Sequence, residues 1–130
     1  MVYVYSVFGF KLNNSFYDIE GFIVNLNEEK WFNLCETLDV GSISTTIRAL
    51  DGEPANPVSV SLQGSSDCIE DLLGFIFLTS SAQFLGTEDS LINIPKVFTP
   101  TPEELGLISD LAKKYGDGKP KQFITLRFEH

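Results

Sequence analysis

A chain of 130 residues with 43% hydrophobic side chains is the size of one compact domain with its own core. An aromatic content of 12% separates it from charge-rich disordered segments. Its formal charge of −9 argues against unspecific attraction to nucleic acid or to an anionic membrane, since both need a basic surface.

The first element is a strand over Val2–Leu12, rich in β-branched and aromatic residues and apolar on both faces at its start. Val2, Val4, Phe8, Phe10 and Leu12 suit a core face, which leaves Tyr3, Tyr5 and Val7 to be covered by something else. Asn13-Asn14-Ser15 reads as a turn, followed by a second extended segment through Phe16-Tyr17 and Gly21–Leu26. Asn27 with Glu28 and Glu29 then marks a helix start, and Trp31, Leu34, Cys35 and Leu38 recur on one helical face up to a stop at Gly41.

Ser42–Leu50 alternates as a half-exposed strand, Asp51–Pro57 has turn chemistry, and Val58–Leu62 alternates again, which together predict an antiparallel hairpin. Asp67 and Glu70 have the spacing of a capping box ahead of Leu72, Leu73, Phe75, Ile76, Phe77 and Leu78, so a buried helix is expected there. Tyr3 and Tyr5 are expected to lie under that helix or to form a contact surface.

Leu91–Phe98 has strand composition, but Pro95 cannot donate to a ladder, which makes it an edge strand or an extended connector. Thr101-Pro-Glu-Glu104 supplies an N-cap, a first-turn proline and a capping glutamate. Leu105, Ile108, Leu111, Ala112 and Tyr115 form the buried stripe of the helix that follows, and Gly116 ends it. After a turn at Asp117–Pro120, Lys121–Glu129 is the last strand. With no internal repeat or linker, residues 1–130 are expected to form a single α+β domain. Its architecture is one mainly antiparallel sheet of about five to six strands packed with about three helices.

Few residues suggest catalysis. The single histidine, His130, is terminal, so a serine or cysteine triad has no internal base. Cys35 and Cys68 read as buried free thiols in a reducing cytoplasm, and with one histidine they lack the spacing of a zinc site. The N-terminal apolar run has no basic leader region and is broken by Lys11 before it could span a bilayer. No cofactor, metal site or membrane contact is therefore expected. The acidic pairs could include a general acid and base, but most of them sit where carboxylates support a helix start.

The charge is uneven along the chain. Residues 1–110 carry 16 acidic and 4 basic side chains, a balance of −12, whereas residues 111–130 carry 2 acidic and 5 basic, a balance of +3. Lys113, Lys114, Lys119, Lys121 and Arg127 form the basic region, with Tyr115 and Phe123 nearby. Its simplest reading is a solvated helix end and strand face rather than a surface for stacking and phosphate.

These observations favour binding over turnover. The expectation is a small acidic protein-binding module, of the inhibitor or immunity type, that meets a basic surface on its protein partner and could act by mimicking nucleic-acid charge. Its expected interaction surface comprises Tyr3, Tyr5, Glu28, Glu29, Asp67, Glu70, Asp71, Glu88 and Asp89. The alternatives are a homo-oligomeric assembly protein and, behind it, a carboxylate-based enzyme or small-ligand binder. Direct nucleic-acid binding is not expected.

Overall fold

The computed structural model describes residues 2–20, 23–38, 57–63, 73–116 and 118–128. Its central element is β1, Val2–Lys11, where the β-branched and aromatic residues of the opening run form an extended strand with neighbours on both sides. On one side β1 pairs with the whole length of β8, Lys121–Phe128, from Val2↔Phe128 to Gly9↔Lys121. On the other side two strands share it end to end. They are β5, Leu73–Leu78, opposite Gly9–Lys11, and β6, Gln83–Thr87, opposite Tyr3–Ser6.

Between β5 and β6 the chain makes a 3-10 turn at Thr79–Ser81. This jog takes β1 out of ladder pairing at Val7 and Phe8 on that side, and the Ser81 hydroxyl replaces the missing strand by accepting the Phe8 N–H at 2.7 Å. β4, Val58–Gln63, extends the sheet beyond β5, and β7, Ser90–Leu91, extends it beyond β6. All these pairings are antiparallel, giving a six-stranded sheet. A separate hairpin joins β2, Tyr17–Glu20, to β3, Ile23–Leu26, so the second extended segment of the sequence reading is a hairpin of its own.

Two helices are present among the described residues. The first, α1, Glu28–Thr37, is capped by Asn27, whose side-chain oxygen accepts the Lys30 N–H at 3.2 Å. The second, α2, Pro102–Tyr115, carries the full capping box. Thr101 Oγ1 accepts the Glu104 N–H at 3.2 Å, and Glu104 Oε1 accepts the Thr101 N–H at 2.9 Å. The Ser80 hydroxyl also donates to Glu104, tying the start of α2 to the β5–β6 turn.

The third expected helix is a strand. Leu73–Leu78 forms β5, while Leu72 and the Asp67–Glu70 capping box lie outside the described residues. A short continuous apolar run fits a strand buried on both faces as well as a buried helix, and periodicity does not separate the two. Here Ile76, Phe77 and Leu78 are all fully buried, although successive strand residues point to opposite faces. The expected strand at Ser42–Leu50, the loop at 51–56, Gly41 and Cys68 also lie outside the described residues.

One face of the sheet carries the core. Phe10 and Leu12 from the β1 end, Val58, Val60 and Leu62 from β4, and Ile76 and Leu78 from β5 pack with Trp31, Leu34 and Cys35 of α1 and with Ile108, Leu111 and Ala112 of α2. Phe16, Tyr17 and Leu26 join this cluster from the hairpin side. Leu105, expected in the buried stripe of α2, is exposed, because the buried part of that stripe begins at Ile108. Close packing shows at Gly74, where an added Cβ would lie 2.8 Å from Leu12 and 2.9 Å from Trp31. The Gly74 N–H donates to the Tyr17 hydroxyl at 2.7 Å. Burial pushes the Tyr17 phenol above its ordinary pKa, partly opposed by that backbone hydrogen bond.

Candidate functional site

From Ile92 to Pro100 the chain has no regular secondary structure, yet its backbone is held in place. At its start the N–H groups of Ile92 and Asn93 both donate to Leu85 O, at 2.9 and 3.0 Å, and Asn93 Nδ2 donates to Phe84 O at 3.0 Å. Pro95 removes one backbone donor, as the sequence implied, and two glutamines supply the anchoring that a ladder would have given. Gln83 on β6 grips Lys96 twice, accepting its N–H at Oε1 and donating from Nε2 to its carbonyl, both at 2.8 Å. Gln122 on β8 donates from Nε2 to the same carbonyl at 2.6 Å and to Ser6 Oγ at 2.9 Å, and accepts the Phe98 N–H at Oε1 at 3.0 Å.

Register explains this convergence. Gln83 is paired with Ser6 on β1, and Gln122 with Phe8 two residues on, so all of them share one sheet face. That face is apolar where the helices cover it and polar where the connector crosses it. The Phe98 ring then packs against Phe8 with centroids 5.8 Å apart, and α2 begins soon after.

With the backbone fixed in this way, the apolar side chains of the connector face water. Leu91 and Ile92 are 65% and 69% exposed, and Ile94 and Val97 are 88% and 89% exposed. Ile124 on β8, also exposed, shares with Pro95 and Val97 a shallow hollow of about 290 Å³. Glu88 and Asp89 stand exposed in the β6–β7 turn at one end of this strip, and Lys96 is exposed within it.

Tyr3 and Tyr5 belong to the opposite sheet face. Both are half-buried, and both rings meet Phe84 of β6, at 6.2 and 5.5 Å between centroids. They therefore pack beside an aromatic strand residue, and the described part of the run expected to cover them as a helix is the strand β5. The tight β6–β7 return beside them rests on Gly86, whose φ of 134° is a left-handed conformation and whose absent Cβ would fall on the Ser90 carbonyl. Glu28 and Glu29 are exposed in the first turn of α1, where they oppose the helix dipole. Asp67, Glu70 and Asp71 lie outside the described residues.

A second concavity sits at the far end of β1. Lys11, Phe75, Gly118, Lys119, Lys121 and Phe123 are among the residues lining a groove of about 450 Å³. By register Lys11 faces the same way as Phe75, and Val7 and Gly9 the same way as Phe123 and Lys121. Gly9 lies on the diagonal between the two phenylalanines, and with no side chain there the rings approach to 4.9 Å. The sequence reading named Lys119, Lys121 and Phe123 as a basic region with an aromatic neighbour. Lys11 and Phe75, distant in sequence, were missed because only strand pairing brings them there.

Cys35 is buried in α1, and burial pushes its thiol up to about 11. Among the described residues no three His, Cys, Asp or Glu side chains are grouped to hold a metal ion, and no helix is long and apolar enough to cross a membrane. Comparison with protein-family models, with curated proteins and with solved structures finds no match.

Proposed function

We propose that this protein is a binding module whose working surface is the connector strip from Leu91 to Val97, and that it engages a protein partner offering an apolar groove with a basic rim. The observation that carries this reading is the pairing of high apolar exposure with a fixed backbone at Ile94 and Val97. Contiguous exposed apolar side chains on a soluble domain mark interaction surfaces. A backbone already held by Gln83 and Gln122 loses little further freedom on binding, which lowers the entropic cost of association. Glu88 and Asp89 beside the strip, in a chain of net charge −9, favour a basic rim on the partner and speed its approach. An inhibitor or immunity-type role is the biological form this reading takes.

The double variant Ile94→Asp with Val97→Asp tests it. Both positions are exposed, so stability should stay within about 0.5 kcal/mol of the parent. A partner recovered from the native host with the parent chain should be lost with the variant, while Glu88→Gln with Asp89→Gln should slow association and flatten its salt dependence. Equal recovery by the parent and the Asp double variant would refute the assignment. Self-association is the second reading, favoured because the same strip lies next to the short edge strand β7. Light scattering at micromolar concentration decides it: a dimer that the Asp double variant dissociates supports it, and a monomer ends it.

A further inference from the structure

We infer that the groove at the end of β1 is a binding site for a small aromatic anion, a planar ring carrying a phosphate or carboxylate. This site borders the connector hollow, with which it shares Phe123 and Ile124, but it does not depend on the reading given to the connector strip.

Three features converge there. The floor contains Phe75 and Phe123, tilted at 34° to one another and half-buried, so part of each ring is open to a ligand. Aromatic rings meet such a pair in offset or tilted contact, which a planar ligand can extend. Three exposed ammonium groups, those of Lys11, Lys119 and Lys121, line the same groove. In a chain with twice as many acidic as basic side chains this clustering sets a local sign opposite to that of the whole protein. The Lys11 ammonium lies 5.8 Å from the centroid of the Tyr17 ring, a cation–π contact that leaves its charge unneutralised.

The volume of about 450 Å³ suits a one- or two-ring ligand and falls within the usual range for small-molecule sites. An ammonium is a mobile point charge that binds phosphate or carboxylate without demanding a fixed planar geometry, so the site selects for charge and ring together. Neither half of such a ligand is held strongly: exposed ion pairs contribute little one at a time, and the rings offer only part of their faces. Affinity should therefore come from both halves joined.

The test is a titration of the full chain by two-dimensional amide NMR with phenyl phosphate, and with inorganic phosphate and phenol as its two halves. Phenyl phosphate should shift the Phe75, Lys121 and Phe123 amides saturably and bind at least about tenfold more tightly than either half. In the variant Lys119→Gln with Lys121→Gln, both residues exposed, the spectrum should remain native and the affinity should fall by about tenfold, roughly 1.4 kcal/mol. The variant Ile94→Asp, at a position that lines neither concavity, should bind phenyl phosphate as the parent does. Four results would overturn the proposal: no saturable shift, inorganic phosphate alone matching phenyl phosphate, phenol alone matching it, or unchanged affinity in the lysine variant.

Discussion

Removing the Gln122 side chain should release the connector from the sheet before the sheet itself unfolds. Gln122 makes three hydrogen bonds, to Lys96 O, to Ser6 Oγ and from Phe98 N–H. At about 1 kcal/mol net for each, their loss is at most about 3 kcal/mol. The position is only half-buried, so water replaces part of the loss and about 2 kcal/mol is expected for Gln122→Ala. Amide hydrogen exchange by NMR reads this directly. Phe98 N–H, whose acceptor disappears, should exchange about thirtyfold faster, the equivalent of 2 kcal/mol. Lys96 N–H is held by Gln83 and should change less. Amides of Ile76 and Phe77 in β5 report global opening and should change least. Unchanged protection at Phe98, or an equal loss at Phe98, Lys96 and Phe77, would refute the view that the glutamines hold the connector as a unit of its own.

Gly9→Ala should destabilise severely, by more than about 3 kcal/mol, because the new Cβ would lie 2.0 Å from the Ile76 carbonyl oxygen and 2.5 Å from Phe77 Cα, both backbone atoms. Urea denaturation measures it, and a midpoint close to that of the parent would show that β1 and β5 can separate at little cost. Thr101→Ala should cost about 1 kcal/mol by removing the cap of α2. Glu104 is held below the ordinary carboxylate value of 4.5 by hydrogen bonds from the Ser80 hydroxyl and the Thr101 N–H. Its contribution is therefore complete above about pH 4.5 and is lost as the pH falls through the lowered folded-state value. Glu104→Gln should accordingly weaken the acid dependence of stability in that window, as read from denaturation midpoints between pH 2 and pH 6. Cys35, with its thiol pushed up to about 11, should resist iodoacetamide at pH 8 in the native protein and react fully in denaturant. Peptide mapping distinguishes it from Cys68.

Local chemistry made much of this protein legible in its sequence. The α2 start was readable because Thr101, Pro102 and Glu104 act on one another within a single turn, and the structure has both halves of the capping box. The α1 face of Trp31, Leu34 and Cys35 followed from helical periodicity, and β1 and β8 from β-branched and aromatic content. The α+β class follows from these elements together. The Leu73–Leu78 run was not decidable in this way, because its burial on both faces erases the alternation that marks a strand.

What tertiary structure alone decided is what meets across the sheet. Gln83 and Gln122 are ordinary polar residues in sequence. They become the anchors of the connector because β6 and β8 flank β1 and bring both side chains to one face beside Ser6. Lys11 and Phe75 join Lys121 and Phe123 for the same reason, through the pairings of β1 with β5 and β8 and the space left by Gly9. The segment around Ile94 and Val97 is the extended connector that Pro95 allowed the sequence to suggest, but the degree of their exposure is a tertiary outcome, set by the glutamine anchors that hold the backbone against the sheet. Sequence determines propensity within a few residues of the chain, whereas the surfaces proposed for binding depend on contacts between segments up to 116 positions apart, as between Ser6 and Gln122.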